Sequence, residues 1–173
     1  MQKKVLSEQI LYYGEIKMPE GFEINPLNLT NNLFKALYTD RKHVESRDFD
    51  KLNTYIMEYI NLNYNLSLVN KDCWTDIYLP NEKTESKINI NPVDLKNSAD
   101  FTLLYGINTN DCDVKINYDD NRRKGRDWTI GLPDNNFVMF PSTNTYSIIN
   151  KQKESLNFIQ TITYEYIWFY WKI

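Results

Sequence analysis

Apolar and polar positions along the 173-residue chain change their period twice. Residues 5–18, VLSEQILYYGEIKM, carry Ile10, Tyr12 and Ile16 at even spacing and predict an opening strand. Pro19, Gly21 and Pro26 then break the chain. A helix entry follows at Asn28-Leu29-Thr30, with Leu33, Phe34 and Leu37 on one face. A second helix opens at a cap, Asp48 or Asp50. In it Leu52, Tyr55, Ile56, Tyr59 and Ile60 recur at steps of three and four as far as about Asn63.

Beyond this point the period is two. Segments 66–80, 86–91, 99–108, 111–119, 127–132, 135–142 and 144–150 read as strands, separated by turn residues such as Asn108-Thr109-Asn110-Asp111 and Pro133-Asp134-Asn135. The last strand, from Glu154, places Leu156, Phe158, Ile162, Tyr164 and Tyr166 on one face. Asn157, Thr161, Thr163 and Glu165 fall on the other. Short antiparallel strands after a helical N-terminal third predict a single α+β domain, mostly antiparallel β. Residues 1–64 supply a strand and two helices, and residues 65–173 a jelly-roll core. The helices are expected on the outer face of one sheet. No repeat, low-complexity tract or linker interrupts the chain.

Composition narrows the chemistry. With 20 Lys+Arg against 23 Asp+Glu, the net charge of −3 argues against a general nucleic-acid binder. No apolar run is long enough to span a membrane, and the basic start at Met1 to Lys4 leads into no secretory signal. A cytoplasmic or virion location is therefore expected. Cys73 and Cys112 form no paired motif and read as reduced, half-buried thiols. Asn, Ile, Lys and Tyr are abundant while Ala and Gly are scarce, the imprint of an AT-rich genome. There is one histidine, His43. A two-His-one-carboxylate iron site, or a His-based zinc site, needs at least two imidazoles. His43 itself, flanked by Arg41, Lys42 and Glu45, reads as a solvated loop residue.

The order of elements in the second half carries a resemblance. Its pieces are Cys73-Trp74-Thr75-Asp76-Ile77, then Ala99-Asp100-Phe101-Thr102-Leu103-Leu104-Tyr105. Phe137-Val138-Met139-Phe140-Pro141-Ser142 comes next, and Asn157-Phe158-Ile159 last. Together, over roughly residues 48–167, they resemble the small 2-oxoglutarate/iron(II)-dependent oxygenases of marine bacteria and cyanophages. That resemblance implies a double-stranded β-helix. It also implies a His-rich segment before the strand of Tyr105, a distal His beyond the FPS turn, and a basic residue on the last strand to hold 2-oxoglutarate. This chain has Lys87-Ile88-Asn89-Ile90-Asn91 at the first place and Tyr146 at the second. It has no Arg after Arg126, and Lys151 and Lys153 fall in a turn. The resemblance therefore implies the fold without the iron and 2-oxoglutarate ligands.

Several candidates follow. Lys87, Asn89 and Asn91 share one face of a strand, either as polar outer residues of an edge or as hydrogen-bonding groups at the barrel mouth. Tyr146 is expected to fill the vacated metal position with its ring. Trp74 and Tyr105 are expected to line the mouth with them. The run Asp119, Asp120, Arg122, Arg123, Lys124, Arg126 reads as a solvated hairpin loop. Asp111, Asp113, Asp119 and Asp120 lack the oxygen pattern of a calcium loop. The tail Tyr166-Ile167-Trp168-Phe169-Tyr170-Trp171 points apolar groups to both faces. It is covered either by the helices or by another chain, through Tyr166, Trp168, Phe169, Tyr170 and Trp171. The expected function is a non-catalytic structural or interaction protein, such as a phage virion component, with a protein partner or a second copy and no cofactor. The alternatives are an oxygenase with unconventional ligands such as Asp94, Asp100 or Tyr146, and a small-ligand binding module.

Overall fold

The computed structural model describes residues 9–38, 47–121 and 124–167. The elements in order are β1 (Tyr12–Glu15), α1 (Pro26–Tyr38), α2 (Arg47–Tyr64), β2 (Leu68–Tyr78), β3 (Phe101–Asn108), β4 (Cys112–Asn121), β5 (Lys124–Gly131), β6 (Asn136–Pro141), β7 (Thr145–Asn150) and β8 (Asn157–Tyr166). They form a five-stranded sheet in the order β1-β6-β3-β8-β2 and a three-stranded sheet in the order β5-β4-β7. Every pairing is antiparallel. His43 lies outside the described residues, as do Arg122, Arg123 and the tail from Trp168.

The first helix begins where the sequence suggests a break. Asn25 Oδ1 accepts the backbone N–H of Leu27 at 2.9 Å, so Asn25 caps the helix. Pro26 takes the first helical position, where its missing N–H costs nothing. Leu29 is buried, but Phe34 is 55% exposed and leaves the face predicted for it. The side chains of Leu33 and Leu37 lie outside those described.

The second helix follows its predicted period. Phe49, Leu52, Ile56 and Ile60 are all buried against the five-stranded sheet. Each such side chain contributes roughly 1.5–3 kcal/mol on leaving water. The helix ends at Asn65, whose φ of 52° is left-handed. The Asn61 side chain then brackets Leu68, donating to its carbonyl at 2.9 Å and accepting its N–H at 3.0 Å. That bracket fixes the start of β2 against the helix.

Strands β3 and β8 lie at the centre of the larger sheet and are covered on both faces. Thr102–Ile107 and Asn157–Tyr164 are buried without a break. Alternation sorts their side chains into two cores. Leu103, Tyr105, Phe158, Ile162 and Tyr164 face the helices. Leu104 and Ile159 face the smaller sheet, where they meet Val114, Ile116, Phe140, Tyr146 and Ile148.

The segment predicted as a strand at 86–91 is not a regular one. Lys83 and Lys87 make isolated bridges to Ile149 and Tyr146 of β7. Lys87 and Tyr146 exchange both backbone hydrogen bonds, at 2.7 and 2.9 Å. Between the two bridges the Thr84 hydroxyl takes the N–H of Ile148 at 3.0 Å, so a side chain replaces part of the ladder. Both cysteines are free, Cys73 exposed and Cys112 buried, rather than half-buried alike.

Candidate functional site

The mouth between the two sheets collects polar groups from five segments. On β2, Trp74, Asp76 and Tyr78 share one parity, and Tyr78 belongs to the core between the sheets. The segment along β7 brings Lys87 and Asn89. Strand β7 brings Tyr146, β3 brings Thr102, and the turn after β6 brings Ser142.

These groups form two adjoining clusters. In the first, Asp76 Oδ2 accepts the Trp74 indole N–H at 2.9 Å and the Tyr78 hydroxyl at 3.4 Å. Lys87 Nζ lies 3.9 Å from the same oxygen, donates to the Tyr78 hydroxyl at 3.3 Å, and sits 5.0 Å from the Tyr78 ring centre. In the second, Asn89 Nδ2 donates to the Tyr146 hydroxyl at 3.1 Å and to Thr102 Oγ1 at 3.3 Å. The Thr102 and Ser142 hydroxyls are 2.8 Å apart. The paired backbones of Lys87 and Tyr146 join the two clusters.

Tyr146 is buried, and its ring packs against Phe140 at 5.3 Å between centres. Burial pushes its hydroxyl up to about 12, against the opposing pull of the Asn89 hydrogen bond. Burial, and then the neighbouring Asp76, also push the Tyr78 hydroxyl well above its ordinary value. Both rings are therefore neutral phenols at physiological pH.

The resemblance implies iron and 2-oxoglutarate, and these residues do not fit them. At the two places where the resemblance implies imidazoles stand Asn89, whose amide donates to Tyr146 and Thr102, and Tyr146, whose ring packs on Phe140. On β8 the residues of the parity that faces the smaller sheet are Asn157, Ile159, Thr161 and Thr163, none of them basic. Lys87 supplies a cation at the mouth, but Asp76 and Tyr78 already engage it. Among the described residues no three His, Cys, Asp or Glu side chains group closely enough to hold a metal ion.

Of the predicted mouth residues, the structure brings Trp74, Lys87, Asn89 and Tyr146 together and separates the other two. Asn91 is exposed, and its Oδ1 closes a local turn by accepting the N–H of Val93 at 3.0 Å. Tyr105 points to the helix side of β3, where its hydroxyl donates to the Ile16 carbonyl at 2.9 Å. One residue of alternation separates the two faces, and both faces of β3 are buried, so burial alone did not reveal the direction.

Asp94 and Asp100 do not approach Tyr146 as ligands. Asp94 accepts from Asn97 at 2.8 Å, and Asp100 accepts the backbone N–H of Tyr166 at 2.7 Å. Lys151 pairs with Asp111 and Asp113 at 2.9 and 3.1 Å. Tyr166 packs half-buried against the helix-side core, while Trp168, Phe169, Tyr170 and Trp171 lie outside the described residues. The sequence reading missed Asp76, Thr102 and Ser142. Asp76 was within reach, because it shares strand parity with Trp74. The two hydroxyl residues carry no local signal.

Comparison with known proteins gives a fold and no closer kinship. No family model matches the chain, and no curated protein matches it. Solved structures do. A prolyl-4-hydroxylase from Pseudomonas putida is 10% identical, with a TM-score of 0.58 over 91% of this chain and 93% of its own. The viral collagen prolyl hydroxylase of Paramecium Bursaria Chlorella virus-1 is 14% identical, with a TM-score of 0.55 over 91% of this chain and 97% of its own. A prolyl hydroxylase from Trichoplax adhaerens, solved with a peptide of a hypoxia inducible factor, is 13% identical, with a TM-score of 0.55 over 90% and 83%. At these identities the likeness establishes a shared fold, and the site must speak for function.

Proposed function

We propose that the chain is a non-catalytic double-stranded β-helix protein, descended from the 2-oxoglutarate/iron(II) oxygenase superfamily, that works by binding another protein or a second copy of itself. The observation that carries this reading is the Tyr146 ring. The resemblance implies an imidazole at this place in the chain, and a phenol ring packed on Phe140 and bonded to Asn89 supports a centre without metal. The strand orders β1-β6-β3-β8-β2 and β5-β4-β7, with the 82–90 segment beyond β7, support the double-stranded β-helix. Leu27, Phe34 and Tyr38, seven and four residues apart on α1, are 71%, 55% and 89% exposed. They form one apolar stripe, which supports a protein-facing surface. No helix among the described residues is long and apolar enough to cross a membrane. The AT-rich residue usage fits a phage or its bacterial host, with a virion component as the setting.

Succinate release tests the non-catalytic reading. Purified chain is incubated with 2-oxoglutarate and Fe(II), Mn(II) or Co(II), with ascorbate. The expected yield is no succinate above the protein-free blank. Turnover with any of the three metals overturns the reading.

A further inference from the structure

The side of the sandwich away from β2 carries a groove that the filled centre does not use. Two cavities, of ≈ 340 and ≈ 630 Å³, share Gln9, Tyr118 and Asn144 in their walls and so adjoin. Strand β1, at the edge of the larger sheet, and β5, at the edge of the smaller, both line it. One lobe is aromatic. Tyr13 and Trp128 stand 5.4 Å apart at a tilt of 59°, beside Tyr118. The other lobe is polar and uncharged for the most part, with Asn117, Thr143 and Thr145.

Asn144 joins the two lobes. It is 8% exposed, and its side-chain amide makes no hydrogen bond to any described residue. The amide faces the open cavity, where solvent reaches it, so its donor and its acceptor are both available to a bound ligand. Asn117 spends its Nδ2 on Thr145 at 3.1 Å and keeps Oδ1 as an acceptor. The charges at the rim are already engaged. Asp127 pairs with Lys115 at 3.1 Å, and Arg126 has a partner of its own.

We propose that this groove binds a neutral oligosaccharide. A pyranose ring presents an apolar C–H face, suited to Tyr13, Tyr118 and Trp128, and a rim of hydroxyls, suited to the Asn117 and Asn144 amides. A phosphate-bearing ligand would need unengaged cations, and a purely apolar one would leave Asn144 unpaired. An extended peptide added to the edge of β1 or β5 would bond through backbone groups and would not depend on Asn144. The groove shares no residue with the Asn89 and Tyr146 cluster, so this inference and the non-catalytic reading fail separately.

The test is calorimetric and fluorescence titration of the full chain with cellohexaose, chitohexaose, mannohexaose and galactohexaose. At least one is expected to bind saturably at millimolar concentration or below and to change the tryptophan emission. Trp128→Ala and Asn144→Ala should each weaken that binding by roughly tenfold or more, since aromatic anchors and paired buried amides dominate such sites. Asn144→Asp keeps the shape and removes the amide N–H, so it tests the same contact if the alanine variant does not fold. Tyr59→Phe, on the helix side, should leave the affinity unchanged. Failure of all four sugars to bind overturns the proposal. So does binding that is indifferent to Trp128 and Asn144 in variants with unchanged melting temperatures.

Discussion

The two faces of the larger sheet are built from the same strands and are packed differently. On the helix side, α2 lays Phe49, Leu52, Ile56 and Ile60 over Leu103, Ile162 and Tyr164. The polar groups buried there include a chain in which Thr75 donates to Gln160, and Gln160 to Asn53 at 2.9 Å. On the other side, apolar packing ends at a polar mouth, where Asp76, Lys87, Asn89, Thr102 and Ser142 satisfy one another around Tyr78 and Tyr146. The helix side resembles an ordinary core. At the mouth, apolar packing gives way to hydrogen-bonded polar groups around two buried phenol rings, while the Thr161 hydroxyl on the same face has no partner among the described residues. The lesson is that one sheet carries an apolar core on one face and a hydrogen-bonded polar cluster on the other, because alternation sends successive side chains of β2, β3 and β8 to opposite sides.

That contrast makes the helix side the more sensitive to truncation. Ile56→Ala, fully buried between α2 and the sheet, should cost about 2–5 kcal/mol in urea denaturation. A loss below about 1 kcal/mol would mean that the helices contribute little to holding the sheet.

Alkaline titration comes next. Burial raises the Cys112 thiol to about 12 from 9.0 and the Tyr146 hydroxyl to about 12 from 10.0. The folded state therefore holds these protons more tightly than the unfolded chain does. The resulting stability is present in full below about pH 9 and is lost as the pH rises toward 12. Melting temperature should fall across that window, and in Tyr146→Phe it should fall less steeply above pH 10. Equal slopes for both proteins would contradict a buried, neutral Tyr146.

The same variant probes the mouth at neutral pH. Tyr146→Phe keeps the ring on Phe140 and removes the acceptor for Asn89, so a loss of about 1 kcal/mol is expected by denaturation. The smallest effect should be favourable. The Thr161 hydroxyl is buried on the parity of β8 that faces the smaller sheet, and it has no hydrogen-bond partner among the described residues. Thr161→Val replaces it by a methyl of the same shape and should be neutral or stabilise by up to about 1 kcal/mol. A destabilised Thr161→Val protein would point to a polar occupant of the mouth.

Much of the fold was legible because period and burial agree. The α2 pattern at 52, 55, 56, 59 and 60 reported one buried surface, and the alternation along β8 separated Phe158, Ile162 and Tyr164, which face the helices, from Asn157, Thr161 and Thr163, although both faces are buried. Where both faces are apolar the signal degenerates. Strand β3 reads as a continuous apolar run, and the direction of Tyr105 depends on a register that local pattern does not set. Pro26 looked like a breaker because its role as first helical residue depends on the Asn25 cap beside it. The meeting of Asn89 and Tyr146 was anticipated only through the resemblance, which put both at the mouth. The groove was not. Its walls come from residues 9–11 and 13, 116–118, 125–128, 141 and 143–145, and only tertiary folding brings Asn144 beside Trp128.

The central claim is that Tyr146 and Asn89 close the centre to iron and 2-oxoglutarate. Native mass spectrometry with metal analysis, on protein equilibrated without oxygen in excess Fe(II) and 2-oxoglutarate, tests it most directly. The account predicts a mass without either addition and iron well below one equivalent per chain. A species carrying close to one iron and one 2-oxoglutarate per chain would contradict it.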